Sequence, residues 1–553
     1  MHLEEIRIQN YRSIDDVTLR FPLNKPVVLF GPNNAGKTNI LSAILTLRRY
    51  DPRYLEEGKF HPMGGSKAMY TTSLPNAPSI ILPNLDSLTK KFANFGSPSR
   101  GLSAKTEITL TVGWGDYRKD GQRKRIVFGF NECGDNNWLP YVKNKEVLLK
   151  LAKYTRPLIR IWESGFGDSK NYLDYLKTVQ GVEDNDLPNW FIKLIPKIDK
   201  IVSKSTGGIK DFDDLFQDGN PFSVGSGQQA YVSRLGDLAA GKIIGSMIAN
   251  VQLVLIDEPE THLHPNAREA LLEEIREACG EGIQVIYTTH SENFLDADDL
   301  EGFVRVYKEN VITKVRQLTD DELSSTCDKK LPIGDYWSVK LNSDQLKGFF
   351  ADVILLVEGQ TEQYALPIYL TRSFLSENGI QIVPCHSKSA IPTYWRLFTA
   401  YGYKCFIVFD YDDDIPPKLK KRAQEAETQE KKNAIQGEIK KEREKNQNLE
   451  NLCKFKESPF CLYTMSSLGS CFKNNWESYF EEALERDYQD IWSNLQKIID
   501  DFSNKALDAK AIAQEVKNKG YNMPPFITAI KARLRGLSEM SEDQYQRLIK
   551  KTN

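Results

Sequence analysis

The residues best suited to chemistry fall into two groups. The first begins at Gly31-Pro32-Asn33-Asn34-Ala35-Gly36-Lys37-Thr38, a full match to G-x-x-x-x-G-K-[ST]. Such a loop binds phosphate: its glycines let backbone N–H groups turn inward, and the following helix aims its positive end at the same point. Lys37 can reach the β- and γ-phosphates, and Thr38 can offer its hydroxyl to Mg²⁺. Asn34, Gly36 and Asn39 complete the expected nucleotide contacts. Farther on, the apolar run Val251–Ile256 ends in Asp257-Glu258. Asp257 is placed to hold Mg²⁺, and Glu258 to polarise an attacking water. Another apolar run, Ile283–Thr289, ends at His290, from which an imidazole can sense a γ-phosphate, although a histidine there is by itself more often structural. The Gly-rich turn Ser223-Val224-Gly225-Ser226-Gly227-Gln228-Gln229 lacks lysine, but its N–H groups and the Ser226 hydroxyl can still grip a phosphate. His262 and His264 lack a third ligand and read as shaping a turn rather than binding metal.

The second group is acidic. Val353–Val357 is apolar throughout and ends in Glu358-Gly359-Gln360-Thr361-Glu362. The i, i+4 spacing lets Glu358 and Glu362 face one point. Cys405–Phe409 runs into Asp410-Tyr411-Asp412, and the period of two puts Asp410 and Asp412 on one face. Carboxylates from two strand ends make an all-oxygen pocket suited to Mg²⁺ or Mn²⁺. Two such ions can activate water and stabilise the leaving oxygen in phosphodiester cleavage. An acidic run is ordinarily solvated surface; here each set terminates an apolar strand, which favours a site.

The elements that must position these groups follow from pattern. Leu3, Ile6 and Ile8, then Val17, Leu19 and Phe21, alternate as in a β-meander leading into the phosphate loop. Residues 51–105 read as a loop-rich insertion, with strands expected at Glu107–Trp114 and Arg125–Phe130. The basic cluster Arg118, Lys119, Arg123, Lys124 and Arg125 is a solvated hairpin tip or a phosphate contact. Leucines and aromatics over 145–215 suggest a helical arm or dimerisation insertion. Residues 418–456, dense in Lys, Glu and Gln, read as a solvated helix or helical hairpin, the alternative being a contact to DNA phosphates. The expected fold is α/β: an ATPase domain over 1–345 and a parallel-sheet domain over 346–553.

Bulk properties narrow the classes. A chain of 553 residues needs two or three domains. Its net charge of -2 provides no overall basic field, so nucleic acid would be held by local patches. The sequence shows no membrane-spanning run or signal peptide, and its eight cysteines include no C-x-x-C pair; a cytoplasmic protein with reduced thiols is expected.

In their order, the phosphate loop, Ser-Gly-Gln turn, Asp-Glu strand end and His290, together with Asn10-Tyr11-Arg12-Ser13-Ile14, resemble the ABC-type ATPase head of chromosome-maintenance and recombination ATPases. That resemblance implies a head dimer or tetramer in which Ser226, Gly227 and Gln229 cap ATP held by another head. The acidic sets resemble a Toprim domain, and a head followed by Toprim resembles the OLD (overcoming lysogenization defect) nucleases, including Gabija-type and retron-associated anti-phage effectors. The family implies a further carboxylate, best matched by Glu477, and a late lysine that neutralises the scissile phosphate, best matched by Lys510. It implies ATP and Mg²⁺ as cofactors, with Mn²⁺ an alternative at the nuclease site, DNA as substrate, and a helicase-like or reverse-transcriptase partner. The rivals are a nucleic-acid clamp or sensor without cleavage, and a topoisomerase- or primase-like enzyme.

Overall fold

The computed structural model describes residues 2–49, 101–114, 122–132, 138–143, 159–164, 251–260, 265–328, 332–411, 417–426, 428–453, 463–472, 505–520 and 525–550. Two compact units result, Met1–Gln317 and Leu318–Asn553.

The first unit is built on an eleven-stranded mixed sheet. In chain order its strands are β1 His2–Tyr11, β2 Ile14–Arg20, β3 Val27–Phe30, β4 Glu107–Trp114, β5 Gln122–Glu132, β6 Trp138–Val142, β7 Ile159–Ser164, β8 Val251–Ile256, β9 Gln284–Thr289, β10 Phe303–Glu309 and β11 Ile312–Gln317. They lie side by side as β6-β5-β4-β1-β2-β11-β10-β3-β9-β8-β7. From β6 to β2 the neighbours are antiparallel; β10, β3, β9, β8 and β7 run parallel. Composition explains the division. β1 and β2 alternate and pair Ile6 with Leu19 and Ile8 with Val17, so one face is buried. β3 is buried at all four positions, as a central parallel strand must be. The helix Lys37–Leu45 returns Ile40, Ala43 and Ile44 onto the same core as Val27 and Leu29. Each of these buried isoleucine, valine and leucine side chains contributes about 1.5–3 kcal/mol of apolar transfer.

One expectation is corrected here. Ile159–Ser164, inside the stretch read as helical, is a strand in parallel register with β8. Its Ile-x-Ile-Trp alternation carries β propensity that the surrounding leucines and aromatics masked. The rest of 145–215, nearly all of 51–105 and the tip residues Arg118 and Lys119 lie outside the described residues. Of the remaining basic cluster, Arg123, Lys124 and Arg125 belong to β5 itself rather than to a hairpin tip, and Arg123 pairs with Glu4 at 2.7 Å.

The second unit centres on β12 Val353–Val357, β13 Ile380–Pro384, β14 Lys404–Asp410, β15 Tyr463–Met465 and β16 Gly469–Phe472, ordered β13-β12-β14-β16-β15. All neighbours are parallel except β15 with β16. The helix Gln360–Leu370 packs against Lys505–Asn518, and Leu355, Val357, Leu366, Ile512, Val516 and Phe526 share one core. The charged run forms a helical hairpin, Pro417–Gln424 and Gln429–Cys453, clasped by Arg422 and Glu438 at 2.7 Å. The unit boundary falls at 317/318 rather than 345/346. Tyr336 and Trp337 stack edge-on at 5.2 Å, Trp337 lies 6.2 Å from Tyr394, and Asp328 accepts from Thr393 and, at 3.0 Å, from Tyr336. These contacts tie the segment before residue 345 to the helix Ile391–Ala400.

Candidate functional site

In the first unit, β3 delivers the chain into a loop whose backbone only glycine tolerates. Gly31 and Gly36 have φ of 144° and 111°. A Cβ on Gly31 would stand 2.0 Å from the Val306 carbonyl oxygen, and one on Gly36 2.1 Å from Thr313 Oγ1. The loop is backed by a polar chain. Thr313 Oγ1 donates to the Ala35 carbonyl at 3.0 Å and shares a 2.7 Å bond with Ser13, which accepts from Asn39 at 2.8 Å. Asn39 also accepts from Arg12 at 3.1 Å, so both ends of its amide brace the loop from behind.

Lys37 is buried, and its Nζ donates to the Gly31 and Pro32 carbonyls at 2.8 and 2.9 Å. Burial lowers its pKa to about 8, against the pull of Glu258, Asp257 and Glu260. His290 Nδ1 lies 3.3 Å from the same nitrogen, and His290 Nε2 lies 3.1 Å from Glu258 Oε1. Lys37, His290 and Glu258 therefore form one line across the ends of β3, β9 and β8. Asp257 is pushed up to about 6 by burial, although the Thr288 hydroxyl donates to it at 2.5 Å. Thr288 also accepts the Glu258 N–H at 2.9 Å, holding Glu258 in a left-handed backbone at φ 46°. A conformation of that kind costs about 1–3 kcal/mol and persists only where the surroundings over-determine it. A buried cation lined by carbonyls and a half-buried carboxylate together suit a triphosphate with a divalent ion: the anion would compensate Lys37 and the cation Asp257.

Thr288, Thr313 and the role of Glu260 are not among the residues picked out from the sequence. Glu260 Oε1 accepts from Thr289 at 2.8 Å and from the His290 N–H at 2.7 Å, fixing the backbone that carries the imidazole. Its place in Asp257-Glu258-Pro259-Glu260 was the available signal. Ser226, Gly227, Gln229, His262 and His264 lie outside the described residues.

In the second unit, Glu358 leaves β12 beside the end of β14, and its Oε2 accepts the Asp410 N–H at 3.3 Å. The two carboxylate-bearing residues thus share one sheet edge, as parallel registry of Val357 with Val408 requires. Glu362 is buried; its Oε2 accepts the Gly359 N–H at 3.1 Å, satisfying a free backbone donor at the start of Gln360–Leu370. Lys510 is exposed on the neighbouring helix, its ammonium 5.9 Å from the Tyr364 ring centre. Asp412 and Glu477 lie outside the described residues, and among those described no three His, Cys, Asp or Glu are grouped to hold a metal ion. Glu358 and Asp410 provide hard oxygen donors of the kind Mg²⁺ and Mn²⁺ prefer.

Comparison with known proteins agrees with this division. Residues 27–296 match the family described as "AAA domain, putative AbiEii toxin, Type IV TA system", and residues 5–47 a second AAA domain family. Residues 349–412 match "Overcoming lysogenization defect protein-like, TOPRIM domain". The Old nuclease of Escherichia phage P2 is 31% identical over 29% of this chain and 28% of its own length. The endonuclease GajA of Bacillus cereus is 30% identical over 23% of this chain and 21% of its own. These two alignments therefore span under a third of either relative. The OLD nuclease of Thermus scotoductus is 29% identical over 81% of this chain and 88% of its own length. Among solved structures, an SMC head bound to the C-winged helix domain of ScpA aligns at TM-score 0.33 and 15% identity, over 59% of this chain and 100% of that one. The SMC head domain from Thermotoga maritima aligns at 0.30 and 13%, over 57% and 99%.

Proposed function

We propose that this chain, a member of the OLD family by its AAA and OLD-like Toprim domains, is an ATP-binding, metal-dependent endonuclease. The Toprim domain cuts and the ATPase unit regulates. The observation that carries this reading is the meeting of Glu358 and Asp410 at the ends of adjacent parallel strands, with the Asp410 N–H held by the Glu358 carboxylate.

Glu358, Asp410 and Asp412 would hold Mg²⁺ or Mn²⁺, with Glu362 and Glu477 as further carboxylates. Bound metal supplies the activated water and neutralises charge on the leaving oxygen. Lys510 adds positive charge toward the scissile phosphate. At the other site Lys37, Thr38 and the loop N–H groups, with Asn34 and Gly36, bind ATP. Thr38 and Asp257 would hold Mg²⁺, Asp257 directly or through water, Glu258 would orient the attacking water, and His290 would read the γ-phosphate. Ser226, Gly227 and Gln229 complete the ATP site of a second head, giving a dimer or tetramer. DNA is the substrate, in anti-phage defence beside a helicase-like or reverse-transcriptase partner. No helix among the described residues is long and apolar enough to cross a membrane.

The test is cleavage of supercoiled plasmid by the purified chain with Mg²⁺ or Mn²⁺, with and without ATP. Glu358→Ala and Asp410→Ala should each slow cutting by about a hundredfold or more, beyond the 10–100-fold usual for residues behind the metal ligands. Variants that cut as fast as the parent would leave a nucleic-acid clamp as the better reading.

A further inference from the structure

The loop after β13 carries a histidine that neither ATP binding nor metal binding uses. Cys385 N–H donates to the Val357 carbonyl at 2.9 Å, so the chain leaves β13 alongside the residue that precedes Glu358. The next residue, His386, is exposed at this same C-terminal edge and sits in the left-handed region at φ 60°. Its ring is held from behind by Gln345, which is fully buried.

Gln345 leaves no choice of tautomer. Its Oε1 accepts the Asn342 N–H at 3.1 Å, and its Nε2 donates to the Pro384 carbonyl at 2.6 Å. With the amide orientation fixed at both ends, the remaining Nε2 hydrogen points at His386 Nε2, 3.2 Å away. That ring nitrogen must accept, so the neutral imidazole carries its proton on Nδ1. Among the described residues Nδ1 has no hydrogen-bond partner. The nearby carboxylate, Asp344, is already engaged by Lys347 at 2.9 Å and Gln363 at 3.0 Å. A buried amide thus orients an exposed N–H donor beside the strand end that bears Glu358.

We propose that His386 donates from Nδ1–H to a non-bridging phosphate oxygen of the nucleic-acid strand bound at Glu358 and Asp410, anchoring it beside the cut. This rests on the nuclease reading of that edge. No proton is transferred; the contact is a substrate hydrogen bond that fixes where the backbone lies.

The experiment measures kcat and KM for plasmid cleavage by the full chain, with thermal melting of each variant. His386→Gly removes the ring and relieves the left-handed backbone, which offsets the acceptor lost to Gln345, so it should melt close to the parent. It should raise KM for DNA about tenfold, the effect of losing one hydrogen bond to a charged group. His386→Asn tolerates the same backbone and returns an amide donor near the Nδ1 position, and should restore KM to within about threefold of the parent. Parent-like KM in His386→Gly, or equal loss in both variants, overturns the assignment of His386 and leaves the nuclease reading intact. A parent protein that cuts no DNA with either metal overturns both.

Discussion

At Lys37 the fold opposes the charge that phosphate binding needs. Burial brings the ammonium down to about 8, so the free protein loses that proton as pH rises through about 8, while a bound triphosphate requires it. Protonated Lys37 opposes the native state below about 8, and that cost fades as pH climbs from there toward the unfolded value. Asp257 shows the complementary behaviour. Burial raises it to about 6, so below that pH the free carboxyl is protonated and a metal ion must displace the proton. ATP affinity of the full chain, titrated with Mg²⁺ present, should therefore trace a dome. It should fall toward tenfold per pH unit beyond each limb, near about 6 and about 8. Without Mg²⁺ the acid limb should flatten and the alkaline limb remain. A pH-independent affinity would show that neither group is buried as described. At this scale the sequence displayed Lys37, Asp257, Glu258 and His290, because type and spacing are written in the chain. It did not display Thr288, Thr289 or Glu260 as their supports, since threonine after an apolar run is ordinary strand composition.

At the scale of elements, the phosphate loop is shaped as much by what stands behind it as by its own glycines. Thr313 is fully buried and bonds the Ala35 carbonyl from 278 residues away. Thr313→Val keeps the shape and removes the hydroxyl, leaving that carbonyl and Ser13 each short of a partner. The expected cost is about 1–3 kcal/mol in unfolding free energy, with weakened ATP binding, read by denaturant titration and nucleotide affinity. Gly36→Ala places a methyl group against Thr313 as well as straining φ at 111°, and should abolish nucleotide binding outright while the strands persist by circular dichroism. A Gly36→Ala protein that binds ATP like the parent would mean the loop is not held as tightly as its contacts suggest. Periodicity made β1, β2, β3, β4, β8, β9, β12 and β14 legible, since each is either alternating or apolar throughout. It could not reveal that β11 would meet the loop, because long-range pairing leaves no local mark. β7 was missed for a different reason: six residues of β-prone sequence were outweighed by a helical pattern on both sides.

For the whole molecule, the decisive question is where one folding unit stops. The order of the two chemistries placed a restart near residue 346, where the apolar strand β12 begins. Packing places it 28 residues earlier, at Leu318. The segment between holds Tyr336 and Trp337, both buried, and Gln345, whose amide fixes the Pro384 carbonyl and the His386 ring. Nothing in its composition assigns it to either unit; only the aromatic contacts with Tyr394 and the polar contacts of Asp328 do. Two fragments separate the alternatives. Leu318–Asn553 should unfold in one cooperative transition. A fragment starting at 346 would expose the faces of Tyr394 and Thr393 and lose a buried tryptophan, a change of about 3–5 kcal/mol. For a unit of this size that lowers the melting temperature by roughly 10 °C. The shorter fragment should also lose metal-dependent cutting more than its stability loss explains, because removal of Gln345 frees the loop at the edge that carries Glu358. Equal melting of the two fragments would return the boundary to 345/346 and leave the segment as a linker.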